Sequence, residues 1–80
     1  MMPAVRVSPE FEPLEQILGE KYREFIFVEK VPLGDIWLYV YKNLKSKKYL
    51  ILDGYCRAYD YSNGRYYHVN VREVLLDVFT

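Results

Sequence analysis

Histidine is the side chain best suited to general acid–base chemistry near neutral pH, and this sequence contains one, His68. The turn signal Asn63-Gly64 predicts a hairpin that places His68 opposite Tyr59, with Arg57 nearby. These three side chains could form a minimal acid–base site across a dimer cleft. However, Asp60 is predicted on the opposite face of the hairpin, and no nucleophile motif accompanies the histidine. We therefore expect a protein without catalytic activity.

Metal and thiol chemistry have little support in the composition. The single cysteine, Cys56, excludes an internal disulfide, and with a single histidine it excludes an ordinary intrachain zinc site. Cys56 is predicted to be a small buried hydrophobic residue, because nothing in the sequence lowers its thiol pKa. The four glycines are isolated and form no phosphate-binding loop. We expect no metal and no other cofactor.

Aromatic residues are abundant, with nine tyrosines, four phenylalanines and one tryptophan in 80 residues. Over residues 36–41 they alternate with aliphatic residues, which predicts a strand with one aliphatic and one aromatic side. The Asn63-Gly64 hairpin is predicted to repeat this division, because its two-residue loop pairs Tyr61 with Tyr66 and Tyr59 with His68. We expect the aliphatic side to lie against helices and the aromatic side to be open.

The expected open side carries aromatic and basic residues, namely Trp37, Tyr39, Tyr41, Arg57, Tyr59, Tyr61, Tyr66 and His68. Tyr, Trp and Arg are enriched at protein interfaces, where they contribute much of the binding energy. Tyrosines are also ordinary strand formers, so a plain surface is a further interpretation. The leading prediction is a small non-enzymatic interaction module. It would form a homodimer or dock a protein partner through this side of the sheet.

The alternative prediction is a nucleic-acid-binding or regulatory protein that uses the same aromatic side and the loop Lys42–Lys48. Bases stack on sheet aromatics, and Lys45, Lys47 and Lys48 could hold phosphates. Residues 36–72 contain seven basic and two acidic residues, whereas the whole chain has eleven of each. Zero net charge removes long-range attraction to nucleic acid or membrane, so this function ranks second.

The local patterns predict one domain over residues 1–80, with an irregular lead-in over 1–12 and an edge strand through Val5 and Val7. A helix is expected from Pro13 to about Tyr22. Strands follow over residues 25–28, 36–41 and 49–52 and in the hairpin, the first of them covered on both sides. Asn70 is the expected N-cap of a terminal helix.

These elements predict an α+β fold. It has an N-terminal helix, an antiparallel meander of about four to five strands with the Asn63-Gly64 hairpin, and a C-terminal helix, with both helices on one sheet face. The sequence contains neither a signal-peptide core nor an apolar run that could cross a membrane, so we expect an intracellular, cytoplasmic protein. Amide side chains are scarce, with Gln16 the single glutamine, while Glu, Lys, Tyr and Val are abundant, and this composition indicates a protein from a hyperthermophile.

Overall fold

The computed structural model describes residues 8–80, which form two α-helices and a five-stranded antiparallel sheet. Helix α1 spans Glu12–Leu18, between 3₁₀ turns at Pro9–Phe11 and Gly19–Glu24, and helix α2 spans Val71–Val78. The strands are β1 (Phe25–Leu33), β2 (Ile36–Asn43), β3 (Tyr49–Asp53), β4 (Ala58–Ser62) and β5 (Arg65–Val69). Their order in the sheet is β1-β2-β3-β4-β5, so the predicted α+β meander is confirmed. The strand predicted through Val5 and Val7 lies outside the described residues.

Helix α1 is shorter than predicted because of Gly19. This residue adopts a φ of 59° at the helix end, a left-handed value that glycine tolerates and other residues rarely adopt. The α-helix therefore ends at Leu18, and the chain continues to Glu24 as a 3₁₀ helix. Leu14 and Ile17 still pack into the core, as the helical spacing predicts.

The hairpin between β4 and β5 has the predicted geometry. Asn63 and Gly64 have φ values of 53° and 76°, the two positive values that a type I′ turn requires. Ser62 pairs with Arg65, Tyr61 with Tyr66 and Tyr59 with His68, so the predicted register is confirmed.

Strand β1 is an edge strand, and the prediction that it is covered on both sides is wrong. Ile26 and Val28 are 45% and 42% exposed. The register with β2 shifts between Phe27 and Glu29, which marks a bulge at Val28. A bulge disrupts the ladder locally and discourages pairing with another strand, so an edge can carry apolar residues without aggregating.

The helices cover the aromatic side of β2, the reverse of the prediction. Tyr41 is completely buried with Leu50 and Leu52 in the core beneath the helices, and Tyr39 packs against this core. Leu38 and Val40 lie on the other face of the sheet. The prediction is correct for the hairpin, where Ala58 and Val69 belong to the helix-covered core.

Aromatic neighbours explain why Tyr41 faces inward. Its ring centroid lies 5.7 Å from that of Phe11 and 6.1 Å from that of Phe27, so an aromatic cluster fills the space between sheet and lead-in. The Tyr41 hydroxyl donates a hydrogen bond of 2.5 Å to the Glu10 carbonyl, which offsets the cost of burying it. Burial also raises the pKa of Tyr41.

The N-cap of α2 gives the first testable prediction. Asn70 Oδ1 accepts hydrogen bonds from the N–H groups of Arg72, at 2.9 Å, and Glu73, at 3.2 Å. Asn70→Ala should therefore reduce the free energy of unfolding by about 1 kcal/mol, whereas Asn70→Asp should preserve it. Urea denaturation measures both variants, and equal stability of the alanine variant and the wild type would contradict this role.

Candidate functional site

Among residues 8–80, no helix lies on one face of the sheet, and we call it the open face. Its centre consists of Leu38, Val40 and Ile51, which are 0%, 7% and 7% exposed. Tyr59 and Tyr66 pack against this aliphatic centre and are partly buried themselves. The open face is therefore aliphatic at its centre and aromatic around it, rather than aromatic throughout.

A split between β3 and β4 shapes the open face. The two strands pair only at Ile51 with Tyr59 and at Leu52 with Ala58. Beyond these pairs, the β4–β5 hairpin continues without β3, and Asp60 Oδ1 accepts the N–H of Tyr61 at 2.9 Å.

The divergence of the hairpin leaves a groove of about 570 Å³ on the open face. Its apolar lining consists of Val28, Val40 and Ile51, and the acidic residues Glu29 and Asp60 also border it. Tyr49, Tyr61 and Tyr66 provide aromatic walls. The rings of Tyr61 and Tyr66 form a cross-strand pair with centroids 4.7 Å apart. A groove with an apolar floor and tyrosine walls is suited to bind the surface of another protein molecule.

Asp53 is a fully buried carboxylate that organises the end of β3. Its Oδ1 accepts the N–H groups of Tyr55, at 2.8 Å, and Arg57, at 3.0 Å. Its Oδ2 accepts Arg57 Nε at 2.7 Å and the Tyr59 hydroxyl at 2.8 Å. Burial alone would raise the pKa of Asp53, but these hydrogen bonds outweigh it and hold the pKa below its ordinary value.

The predicted acid–base residues lie close together, but two of them, Arg57 and Tyr59, are hydrogen-bonded to Asp53. The Asp53 carboxylate accepts both of these hydrogen bonds. Burial raises the pKa of Tyr59, and the neighbouring Asp53 carboxylate raises it further. His68 is exposed, and its ring lies 5.6 Å from that of Tyr59 between centroids. Sequence reasoning missed the role of Asp53, although an aspartate before glycine is typical of a turn in which the carboxylate binds backbone N–H groups.

The other predicted surface residues do not form one face. Tyr39 and Tyr41 pack on the helix side, whereas Trp37 is 48% exposed at the end of that side. In the lysine loop, Lys48 forms an ion pair with Asp77 at 3.2 Å and is not free to bind phosphate in that conformation. Lys45 and Lys47 are exposed.

Comparisons with protein-family models, with curated proteins and with solved structures give no match to this chain. No helix within residues 8–80 is long and apolar enough to cross a lipid bilayer. Across those same residues, no group of three or more His, Cys, Asp or Glu side chains is placed to hold a metal ion. Function is therefore inferred from the geometry of the side chains.

Proposed function

We propose that the protein is a small, non-enzymatic interaction module that self-associates through the open face. The observation that carries this proposal is the groove on the open face, where Val28, Tyr49 and Tyr61 are 42%, 55% and 53% exposed. An apolar sheet face that no helix covers is a usual site of protein association. A domain of about 80 residues also buries little surface by itself, so association adds stability.

Charge favours a second copy of the chain as the occupant. The formal net charge is zero, so two copies do not repel each other over long distances. Glu29 and Asp60 line the groove, and Glu29 shares the open face with Lys42, which lies over the Tyr49 ring at 5.5 Å. A two-fold axis can bring the basic side of one copy to the acidic side of the other.

Pairing through β1, at one edge of the sheet that the structure describes, is less suitable, because the bulge at Val28 and the proline at position 32 interrupt it. The open face is therefore a better surface for a second copy than the β1 edge. A cytoplasmic location is part of the proposal, since Cys56 is free.

Light scattering after size-exclusion chromatography tests the proposal. We expect a wild-type dimer and, for Tyr61→Glu, a shift to monomer that corresponds to at least ten-fold weaker association, because the new carboxylate faces Glu29 in the groove. Tyr67→Glu is the matched control, since Tyr67 is exposed on the opposite side of the same hairpin. A wild-type monomer at millimolar concentration, or equal effects of both variants, would contradict self-association.

Nucleic acid is the competing occupant of the open face, and the same variants separate the two functions. A labelled single-stranded oligonucleotide should bind Tyr61→Glu and the wild type equally if the open face serves protein association. Binding that falls with salt and is lost in both Tyr61→Glu and Lys47→Glu would instead support the nucleic-acid function.

A further inference from the structure

Several hydrogen bonds, from both backbone and side chains, fix the short loop between β3 and β4. Besides its side-chain bonds, Asp53 receives the Cys56 N–H on its carbonyl at 3.1 Å and donates its own N–H to the Arg57 carbonyl at 3.0 Å. The backbone of Cys56 has a φ of 65°, a value that residues other than glycine rarely adopt. Strained backbone that the surroundings hold in place is concentrated at binding sites.

The fixed loop presents Tyr55 beside Trp37. Tyr55 is 76% exposed, and together with Trp37 and Tyr39 it lines a cavity of about 370 Å³ at one end of the helix side of the sheet. The same cavity is lined by Gly54, Ile36 and the carboxylate-bearing Asp35. Three aromatic residues and Asp35 therefore border one open depression, which is large enough for a planar ring system.

Two cations contact these rings without lining the cavity. Lys30 Nζ lies 4.6 Å from the centroid of Trp37 and 5.5 Å from that of Tyr39. The guanidinium carbon of Arg57 lies 5.2 Å from the centroid of Tyr55. A cation beside a ring offsets the negative potential of its face, so these rings suit a stacked aromatic partner better than a further cation.

The same cations are available to an anionic group attached to that partner. The Arg57 side chain is half exposed, and it uses Nε to bind Asp53. Lys30 is exposed. A planar ligand that carries phosphate would therefore meet aromatic rings in the cavity and positive charge at its border.

We propose that this cavity binds a nucleobase that carries phosphate and has an exocyclic amino group. The base stacks on Trp37 and Tyr55, Asp35 accepts a hydrogen bond from the amino group, and Lys30 and Arg57 attract the phosphate. Uracil and thymine lack this amino group, so Asp35 favours adenine, cytosine and guanine. The site lies apart from the open face and does not depend on self-association.

Trp37 is the single tryptophan of the chain, so its fluorescence reports directly on this cavity. Titration with AMP should quench the emission in a saturable way, and UMP should bind at least five-fold more weakly. Tyr55→Ala should weaken AMP binding by roughly 5- to 150-fold, the range for loss of one stacking partner. Asp35→Ala should remove the preference for AMP over UMP.

Tyr67→Ala is the control, because Tyr67 is 42% exposed on β5 and lies outside the cavity. Circular dichroism establishes that each variant is folded, which is expected since Tyr55 is largely in solvent. A short oligoadenylate distinguishes the two sources of the base. If it binds more tightly than AMP and its affinity falls strongly with salt, the ligand is a nucleic-acid strand. If it binds as tightly as AMP, the ligand is a free nucleotide. The absence of saturable quenching by either ligand at millimolar concentration, or equal losses in Tyr67→Ala and Tyr55→Ala, would overturn the proposal.

Discussion

Tyr41→Ala should reduce the free energy of unfolding by about 3–5 kcal/mol, the usual effect of deleting a large side chain from a packed core. Tyr41 is fully buried, and its ring contacts Phe11 and Phe27. The substitution therefore removes the contact between the lead-in and the sheet as well as the buried ring itself. Urea denaturation followed by circular dichroism measures the loss at one low protein concentration, so that association does not contribute.

Tyr61→Ala is the matched control for this prediction. Tyr61 is also a strand tyrosine, but it is 53% exposed on the open face, so its loss should stay below about 1 kcal/mol. Tyr41→Phe should fall between the two, because it keeps the ring and leaves only the Glu10 carbonyl without its hydrogen bond. Equal small losses for Tyr41→Ala and Tyr61→Ala would place both tyrosines on an open surface, as the sequence alone predicts, and would contradict the structure.

Features of the fold that depend only on residues close together in the sequence were predictable from the sequence. The Asn63-Gly64 turn and the register that follows from it need only two residues with positive φ and a two-residue loop. The N-cap at Asn70 needs only an oxygen that can reach the next N–H groups. The order of the strands follows from short connections between them.

The inward side of β2 was not predictable by the same reasoning. Alternation establishes that Leu38 and Tyr41 lie on opposite sides of a strand, but both sides are apolar enough to be buried. The choice depends on Phe11, which is distant in the sequence and brings an aromatic surface against Tyr41. Hydrophobic strength alone would place aliphatic residues inward, whereas packing and the hydrogen bond to Glu10 place the tyrosine there.

The reversal of β2 changes the predicted interaction surface in a definite way. It removes Tyr39 and Tyr41 from the open face and replaces them with Leu38 and Val40. A stacking platform for bases thereby becomes an aliphatic strip between tyrosines, which is closer to a protein interface than to a nucleic-acid surface. Trp37 and Tyr55 add exposed aromatic rings at the end of the helix side of the sheet.

Asp53→Ala should reduce the free energy of unfolding by about 2–4 kcal/mol, because four donors lose their shared acceptor. Two of them are the N–H groups of Tyr55 and Arg57, whose bonds to Asp53 hold the loop between β3 and β4. Asp53→Asn should have an intermediate effect. The amide oxygen can still accept these N–H groups, but the amide nitrogen cannot accept from Arg57 Nε or the Tyr59 hydroxyl.

The same carboxylate should make stability depend on pH in a predictable direction. The folded-state pKa of Asp53 lies below its ordinary value of 3.8, since the hydrogen bonds from Arg57, Tyr59 and Tyr55 outweigh the effect of burial. Its contribution is therefore complete above the unfolded-state pKa and is lost as the pH falls through the lower folded-state pKa. Below about pH 4, the wild type should lose stability more steeply than Asp53→Asn, which has no carboxylate to protonate at this position.

Urea denaturation over a pH series measures this difference, and Asp60→Asn provides the control. Asp60 is an exposed carboxylate that accepts one hydrogen bond, from the Tyr61 N–H, so its removal should leave the slope close to that of the wild type. Parallel curves of unfolding free energy against pH for the wild type and Asp53→Asn would mean that the four hydrogen bonds do not stabilise the ionised form of Asp53. In that case the turn at Gly54 and the strand pairs would hold the loop, and Tyr55 would not be fixed beside Trp37 by this carboxylate.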